Sequence, residues 1–104
     1  MYYTYILRCV GGTLYTGITT DVKRRFEEHT TDSKKGAKYT GSRKPIKVEA
    51  VWKSESRALA SKLEYRIKQL TKAEKELLIR TYDLEILGDK IDTTKYDKEN
   101  GNEN

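Results

Sequence analysis

The spacing of apolar and polar positions changes several times along this chain, and each change marks an element. Residues 2–10 and 13–19 are rich in aromatic and β-branched types, and Gly11-Gly12 separates them, so they are expected to form a β-hairpin. Thr20 or Asp21 supplies a side-chain oxygen to cap a helix that starts at Val22 and runs to about Thr30. Residues 31–45, with Gly36, Gly41 and Pro45, read as a loop. From Ile46 to Lys53 the pattern turns to strict alternation, which predicts a third strand with Ile46, Val48, Ala50 and Trp52 on one face. Starting at Ser54 or Ser56, Leu59, Leu63, Ile67 and Leu70 recur at helical spacing and predict a second helix to about Leu70. Thr71-Lys72-Ala73-Glu74 then has the form of a capping box, opening a third helix that reaches about Arg80.

These elements predict an α+β fold, a small three-stranded antiparallel sheet flanked by about three helices. With 104 residues, 36% of them hydrophobic, the chain has apolar surface for a single core, placed at residues 1–82. Beyond Tyr82 the composition turns acidic. Residues 83–104 read as a C-terminal tail, with at least 93–104 expected to be mobile, because so few apolar groups cannot offset the entropy of ordering. The N-terminus lacks the basic region and apolar run of a signal peptide and no stretch is long enough to span a membrane, so the expected location is cytoplasmic. One cysteine, Cys9, and one histidine, His29, exclude an internal disulfide framework and a zinc site of the usual Cys/His kind.

Charge refines this picture because it is unevenly spread. The formal total is +5, but residues 1–82 hold 18 Lys/Arg against 9 Asp/Glu, whereas residues 83–104 hold 3 against 7. Lys34, Lys35, Lys38, Arg43, Lys44 and Lys47 fall in one stretch free of acids, which suits a polyanion because each phosphate neutralised releases condensed counterions. A solubilising surface loop would have the same composition.

The first predicted helix carries the candidate chemistry. Val22, Arg25, Phe26 and His29 share one stripe, so an arginine and the single histidine border the core side. Lys23 and Arg24 stand four residues before Glu27 and Glu28, as ion pairs on the solvated side. A charge at the core border needs a partner or a task, although a snorkelling arginine beside a hydrogen-bonded histidine gives the same stripe.

The run Leu14-Tyr15-Thr16-Gly17, followed by Arg25 and His29 on a helix, resembles the second half of the GIY-YIG endonuclease motif. Tyr3-Thr4-Tyr5 stands where the first half would be, with only its last tyrosine matching. Gly36-Ala37-Lys38-Tyr39-Thr40 and Leu63-Glu64-Tyr65-Arg66-Ile67-Lys68 are similar to the loop and the glutamate-bearing helix of short, stand-alone bacterial members. The resemblance spans about residues 2–80. It implies a hydrolase cutting DNA to a 5′-phosphate and a 3′-hydroxyl, with Glu64 as ligand of one Mg²⁺ or Mn²⁺. It further implies Arg25 on the scissile phosphate, Tyr15 at the attacking water, Tyr5 assisting and His29 tuning or relaying a proton. Gly17 would let a phosphate approach the backbone, and Lys34, Lys35, Lys38, Arg43 and Lys44 would hold the nucleic acid. The pattern departs at Tyr3, where the family has glycine, and in having no asparagine downstream of the glutamate helix before Asn100.

Geometry sets a condition on Tyr5. A two-residue Gly11-Gly12 turn would pair Tyr5 with Ile18 and put Tyr5 and Tyr15 on opposite faces, so a joint site requires an odd-length loop or a bulge. Larger family members gain target choice from an attached DNA-binding domain, so the chain is expected to act on a DNA structure, to have little sequence preference or to depend on a protein partner. The alternative is a nucleic-acid-binding module of the same fold with weak or no nuclease activity. A third reading makes the acidic tail a docking segment for a basic partner.

Overall fold

The computed structural model describes residues 1–31 and 44–99. The elements are β1 (Tyr2–Cys9), β2 (Leu14–Thr19), α1 (Val22–Thr31), β3 (Pro45–Ser54), α2 (Arg57–Lys68), α3 (Lys72–Thr81) and β4 (Asp97–Glu99), with short 3₁₀ segments at Val10–Gly12, Leu84–Lys90 and Thr93–Lys95. The sheet is antiparallel with strand order β2-β1-β3-β4.

Three of the helix starts form by the mechanisms read from the sequence. Asp21, rather than Thr20, caps α1 by accepting from the Arg24 N–H at 3.0 Å. Ser56, rather than Ser54, caps α2 by accepting from Leu59 N–H at 3.2 Å. At α3 the capping box is complete, with Thr71 and Glu74 each accepting the other's backbone N–H. Thr4 Oγ1 donates to the Ala60 carbonyl at 3.0 Å and fixes α2 against β1.

The hairpin has the irregularity that a joint site requires. Val10, Gly11 and Gly12 form a three-residue link closed by Cys9 N–H donating to the Thr13 carbonyl at 2.8 Å. Both glycines adopt positive φ, 87° and 86°, a region that side-chain-bearing residues avoid. The odd link pairs Tyr5 with Gly17 and Leu7 with Tyr15. Tyr5 and Tyr15 therefore lie on the same face, since Tyr5 and Leu7 are two residues apart.

Strand β3 departs from the strict alternation. Ile6 pairs with Ala50 but Leu7 pairs with Val48, so Glu49 is an extra residue in a β-bulge. Past the bulge the pleat inverts: Ala50 and Trp52 face one way, Val48 faces the other with Val51, and Ile46 is exposed. The Glu49 carbonyl accepts from the Tyr82 hydroxyl at 3.3 Å.

Both faces of the sheet are covered. On one, Ile6, Ala50 and Trp52 pack against Leu63 and Ile67 of α2 and Leu78 of α3. On the other, Tyr5, Leu7, Val48 and Val51 pack against Val22 and Phe26 of α1.

The expected acidic tail is corrected by residues 84–99. Leu84, Leu87, Ile91 and Tyr96 are buried in the α2/α3 core, the Tyr96 hydroxyl donates to the Leu59 carbonyl at 2.7 Å, and β4 adds a fourth strand beside β3. A low average hydropathy hid them because four apolar residues spaced three to five apart suffice to seat an irregular segment on a core already formed. Residues 100–104 of the tail lie outside the described residues, as do Lys34, Lys35, Lys38, Arg43 and the Gly36–Thr40 motif.

Candidate active site

The site is built around the β1–β2 hairpin. Tyr5, only 2% exposed, lays its ring across Gly17 of the neighbouring strand; a Cβ at Gly17 would stand 2.6 Å from the Tyr5 hydroxyl and 2.8 Å from Cζ. The close approach that Gly17 permits is thus filled by Tyr5, which corrects the expectation that the gap receives a phosphate. Because β2 is the edge strand, this crossing carries the Tyr5 hydroxyl to the rim of the sheet.

There it meets side chains from two helices. The hydroxyl is 3.5 Å from His29 Nε2 of α1, at the long end for a hydrogen bond. Arg25, one helical turn earlier, is near enough for its guanidinium to favour the charged form of the same phenol. Glu64 of α2, a helix that lies against β1 and β2, is close enough for its charge to act on Tyr5. Tyr15 completes the group, its ring centroid 5.5 Å from His29 in an edge-on arrangement and 6.3 Å from Tyr5. The structure therefore brings together Tyr5, Tyr15, Arg25, His29 and Glu64, from β1, β2, α1 and α2. Lys44 is not among them: it is exposed, and its carbonyl accepts from Val10 N–H at the hairpin turn, beyond the end of β1.

Electrostatics divide the members by role. Burial pushes the Tyr5 phenol well above the ordinary tyrosine range; the neighbouring Tyr15 and Glu64 push the same way and Arg25 opposes them. Tyr5 is a neutral hydroxyl. Burial also lowers His29 below its ordinary value, helped by the Arg25 charge and partly offset by Glu28. His29 is thus a neutral imidazole at pH 7, able to accept a proton. Tyr15 is half-buried, the more open of the two tyrosines.

Two contacts were not foreseen. Glu28 accepts from Arg25 Nη1 at 2.8 Å as well as from Arg24 at 3.1 Å. The i,i+3 spacing of Arg25 and Glu28 allows the first, beside the i,i+4 pairing of Arg24 with Glu28 that the sequence predicts. Lys68 Nζ lies 3.2 Å from Glu64 Oε2, again at helical i,i+4 spacing.

Among the described residues, no three His, Cys, Asp or Glu side chains converge into a cage for a metal. Glu64 offers one partly exposed carboxylate, shared with Lys68. A lone carboxylate of this kind suits Mg²⁺ or Mn²⁺ kept largely by water and substrate phosphate, and does not suit a structural zinc or calcium site.

The GIY-YIG catalytic domain matches residues 1–77, a span that includes all five of these residues. The chain belongs to the GIY-YIG family. Its relatives include a UPF0213 protein of Fusobacterium nucleatum, 49% identical over 78 residues, covering 75% of this chain and 76% of the relative. A UPF0213 protein of the archaeal Halobacterium salinarum is 46% identical over 78 residues, 75% of this chain and 99% of the relative. The solution structure of a UPF0213 protein from Bacillus halodurans is 46% identical, covers 77% of this chain and 84% of its own, and superposes with a TM-score of 0.49. The GIY-YIG match ends at residue 77, so the packed segment 84–99 is additional to it.

Proposed function

We propose that this GIY-YIG protein is a divalent-metal-dependent endonuclease that hydrolyses phosphodiester bonds in DNA. The observation that carries the reading is the grouping of His29 and Tyr15 against Tyr5, with the Arg25 and Glu64 charges near enough to act on its phenol. Phosphodiester hydrolysis needs a placed water, a cation on the phosphoryl oxygens and a sink for one proton. Each of these maps onto a side chain here.

Arg25 binds the scissile phosphate, its planar fork matching two oxygens at once. Tyr15, the more open phenol, orients the water. His29, neutral because of burial, takes up the proton, and Tyr5 holds the imidazole and guanidinium in register through its buried hydroxyl. Glu64, whose carboxylate also contacts Lys68, would hold one Mg²⁺ or Mn²⁺, and such an ion would supply neutralisation of the negative charge that develops during hydrolysis. Lys44, with Lys34, Lys35, Lys38 and Arg43, contributes sequence-independent attraction for the phosphate backbone. A protein partner supplies target choice.

The test is cleavage of plasmid, branched and single-stranded DNA and of RNA, with Mg²⁺, with Mn²⁺ and with EDTA, beside Glu64→Ala and Arg25→Ala. Metal-dependent cutting is expected, with a loss of about 10²-fold or more in each variant. Salt-sensitive binding without cutting in any metal would replace the enzyme with a nucleic-acid-binding module.

A further inference from the structure

Arg25 is not idle in the resting protein. Its Nη1 donates to Glu28 Oε1 at 2.8 Å, while Glu28 Oε2 accepts from Arg24 Nη1 at 3.1 Å. Glu28 thus divides its two oxygens between two adjacent arginines, one at i,i−3 and one at i,i−4. The three side chains also differ in exposure, at 18% for Arg25, 26% for Glu28 and 54% for Arg24. The inner arginine faces the site, the outer one faces solvent, and the carboxylate lies between them.

We infer that Glu28 is the resting counter-ion of Arg25 and hands it over to the incoming phosphate, thereby setting the affinity of the site for nucleic acid. This rests on the reading that Arg25 binds the scissile phosphate. A carboxylate and a phosphodiester present similar pairs of oxygens to a guanidinium, so they compete for the same donor. A half-buried carboxylate that loses its only cation is costly, and that cost would oppose substrate binding. Here it is avoided. On release from Arg25, Glu28 keeps Arg24, whose long exposed side chain follows it without burying charge. The arrangement makes Arg25 available to an anion that outcompetes an intramolecular carboxylate, and it disfavours weaker anions. Glu28 also acts on His29, since its charge opposes the lowering that Arg25 imposes on the imidazole. It is a positioning residue: it touches Arg25 and leaves the phosphate contact to it.

The experiment is equilibrium binding of a fluorescent DNA duplex in EDTA at fixed ionic strength. Wild type is compared with Glu28→Gln, Arg25→Ala, the double variant and Glu27→Gln, each checked for folding by its melting curve and Trp52 emission. Glu28→Gln is expected to bind about twofold to fivefold tighter, the range set by the strength of a partly exposed ion pair. Glu27→Gln removes the same charge from the same helix and is expected to gain less. In the Arg25→Ala background the Glu28→Gln gain is expected to disappear, because the competed donor is gone. Equal gains from Glu27→Gln and Glu28→Gln, a gain that survives Arg25→Ala, or weaker binding by Glu28→Gln would each overturn the hand-over. If Arg25→Ala binds like wild type in EDTA and cuts like wild type with Mg²⁺, the phosphate role of Arg25 itself falls. If Arg25→Ala is weakened while Glu28→Gln is silent, only the hand-over falls.

Discussion

At Gly17 one hydrogen atom in place of a methyl group decides whether Tyr5 reaches the rim of the sheet. Gly17→Ala would drive a Cβ to within 2.6 Å of a hydroxyl whose ring is almost fully enclosed, leaving the ring little room to yield. The expected cost is about 1–3 kcal/mol, read from urea unfolding. Any cleavage should fall by more than tenfold, since a displaced hydroxyl no longer aligns His29 and Arg25. His29, the single histidine, gives a second prediction that proton NMR can follow without assignment. Its folded pKa is lowered, so the unfolded chain takes up a proton first as pH falls. The neutral imidazole's contribution to stability is full above about 6.5 and is lost as pH falls through the lower folded value. Cleavage should fail over the same window, and His29→Gln should flatten the stability profile.

At the scale of elements, what matters is how strands and helices are tied in register. Arg8 of β1 donates through Nε to Glu49 of the β3 bulge at 2.7 Å and through both terminal nitrogens to Glu76 of α3 at 2.5 and 2.6 Å. One guanidinium therefore joins two strands and a helix. Hydrogen bonding to Arg8 holds the Glu76 carboxyl at about 2, far below the ordinary carboxylate range. Glu76→Gln is expected to cost about 1 kcal/mol, a figure held down because the carboxylate is 33% exposed and water screens it. Since the folded value is depressed, the contribution is full above the unfolded value, near 4.5, and is lost as pH falls towards 2. Urea midpoints of wild type and variant should converge over that window.

For the whole molecule, the largest consequence is that the acidic C-terminal segment belongs to the core. Deleting residues 83–104 uncovers Trp52, 1% exposed, and removes Leu84, Leu87, Ile91 and Tyr96 from burial. At roughly 1.5–3 kcal/mol for each large apolar side chain, the truncated chain should lose most of its cooperative unfolding transition. Emission from Trp52, the single tryptophan, should shift to the red. Retention of the native melting temperature and emission would contradict this packing. The same placement, on the α2/α3 side of the sheet and at its β4 edge, removes residues 84–99 as a free docking segment for a basic partner.

The three helices, the hairpin and the third strand were legible because period and capping chemistry are local: Ser56, the Thr71-Glu74 box and the leucine stripe of α2 act within one or two turns. The types of the site residues were legible for the same reason, since Arg25 and His29 declare themselves within one helix and Glu64 by motif. Other features depend on contacts between residues far apart in the chain. The bulge at Glu49 is set by pairing with β1 and covered by Tyr82, so no window of β3 reveals the inverted pleat. The burial of 84–99 follows from a surface that α2 and α3 create only once packed. The common face of Tyr5 and Tyr15 was posed by the sequence as a condition on loop length, and the tertiary hydrogen bonds at Cys9 and Val10 met it with a three-residue link. By itself the sequence determined which chemistry the chain can assemble, because side-chain types and helical spacing are properties of the chain. Only the tertiary structure decided where those groups meet and which carboxylate Arg25 rests on, because distance and desolvation arise when separate elements close around one another.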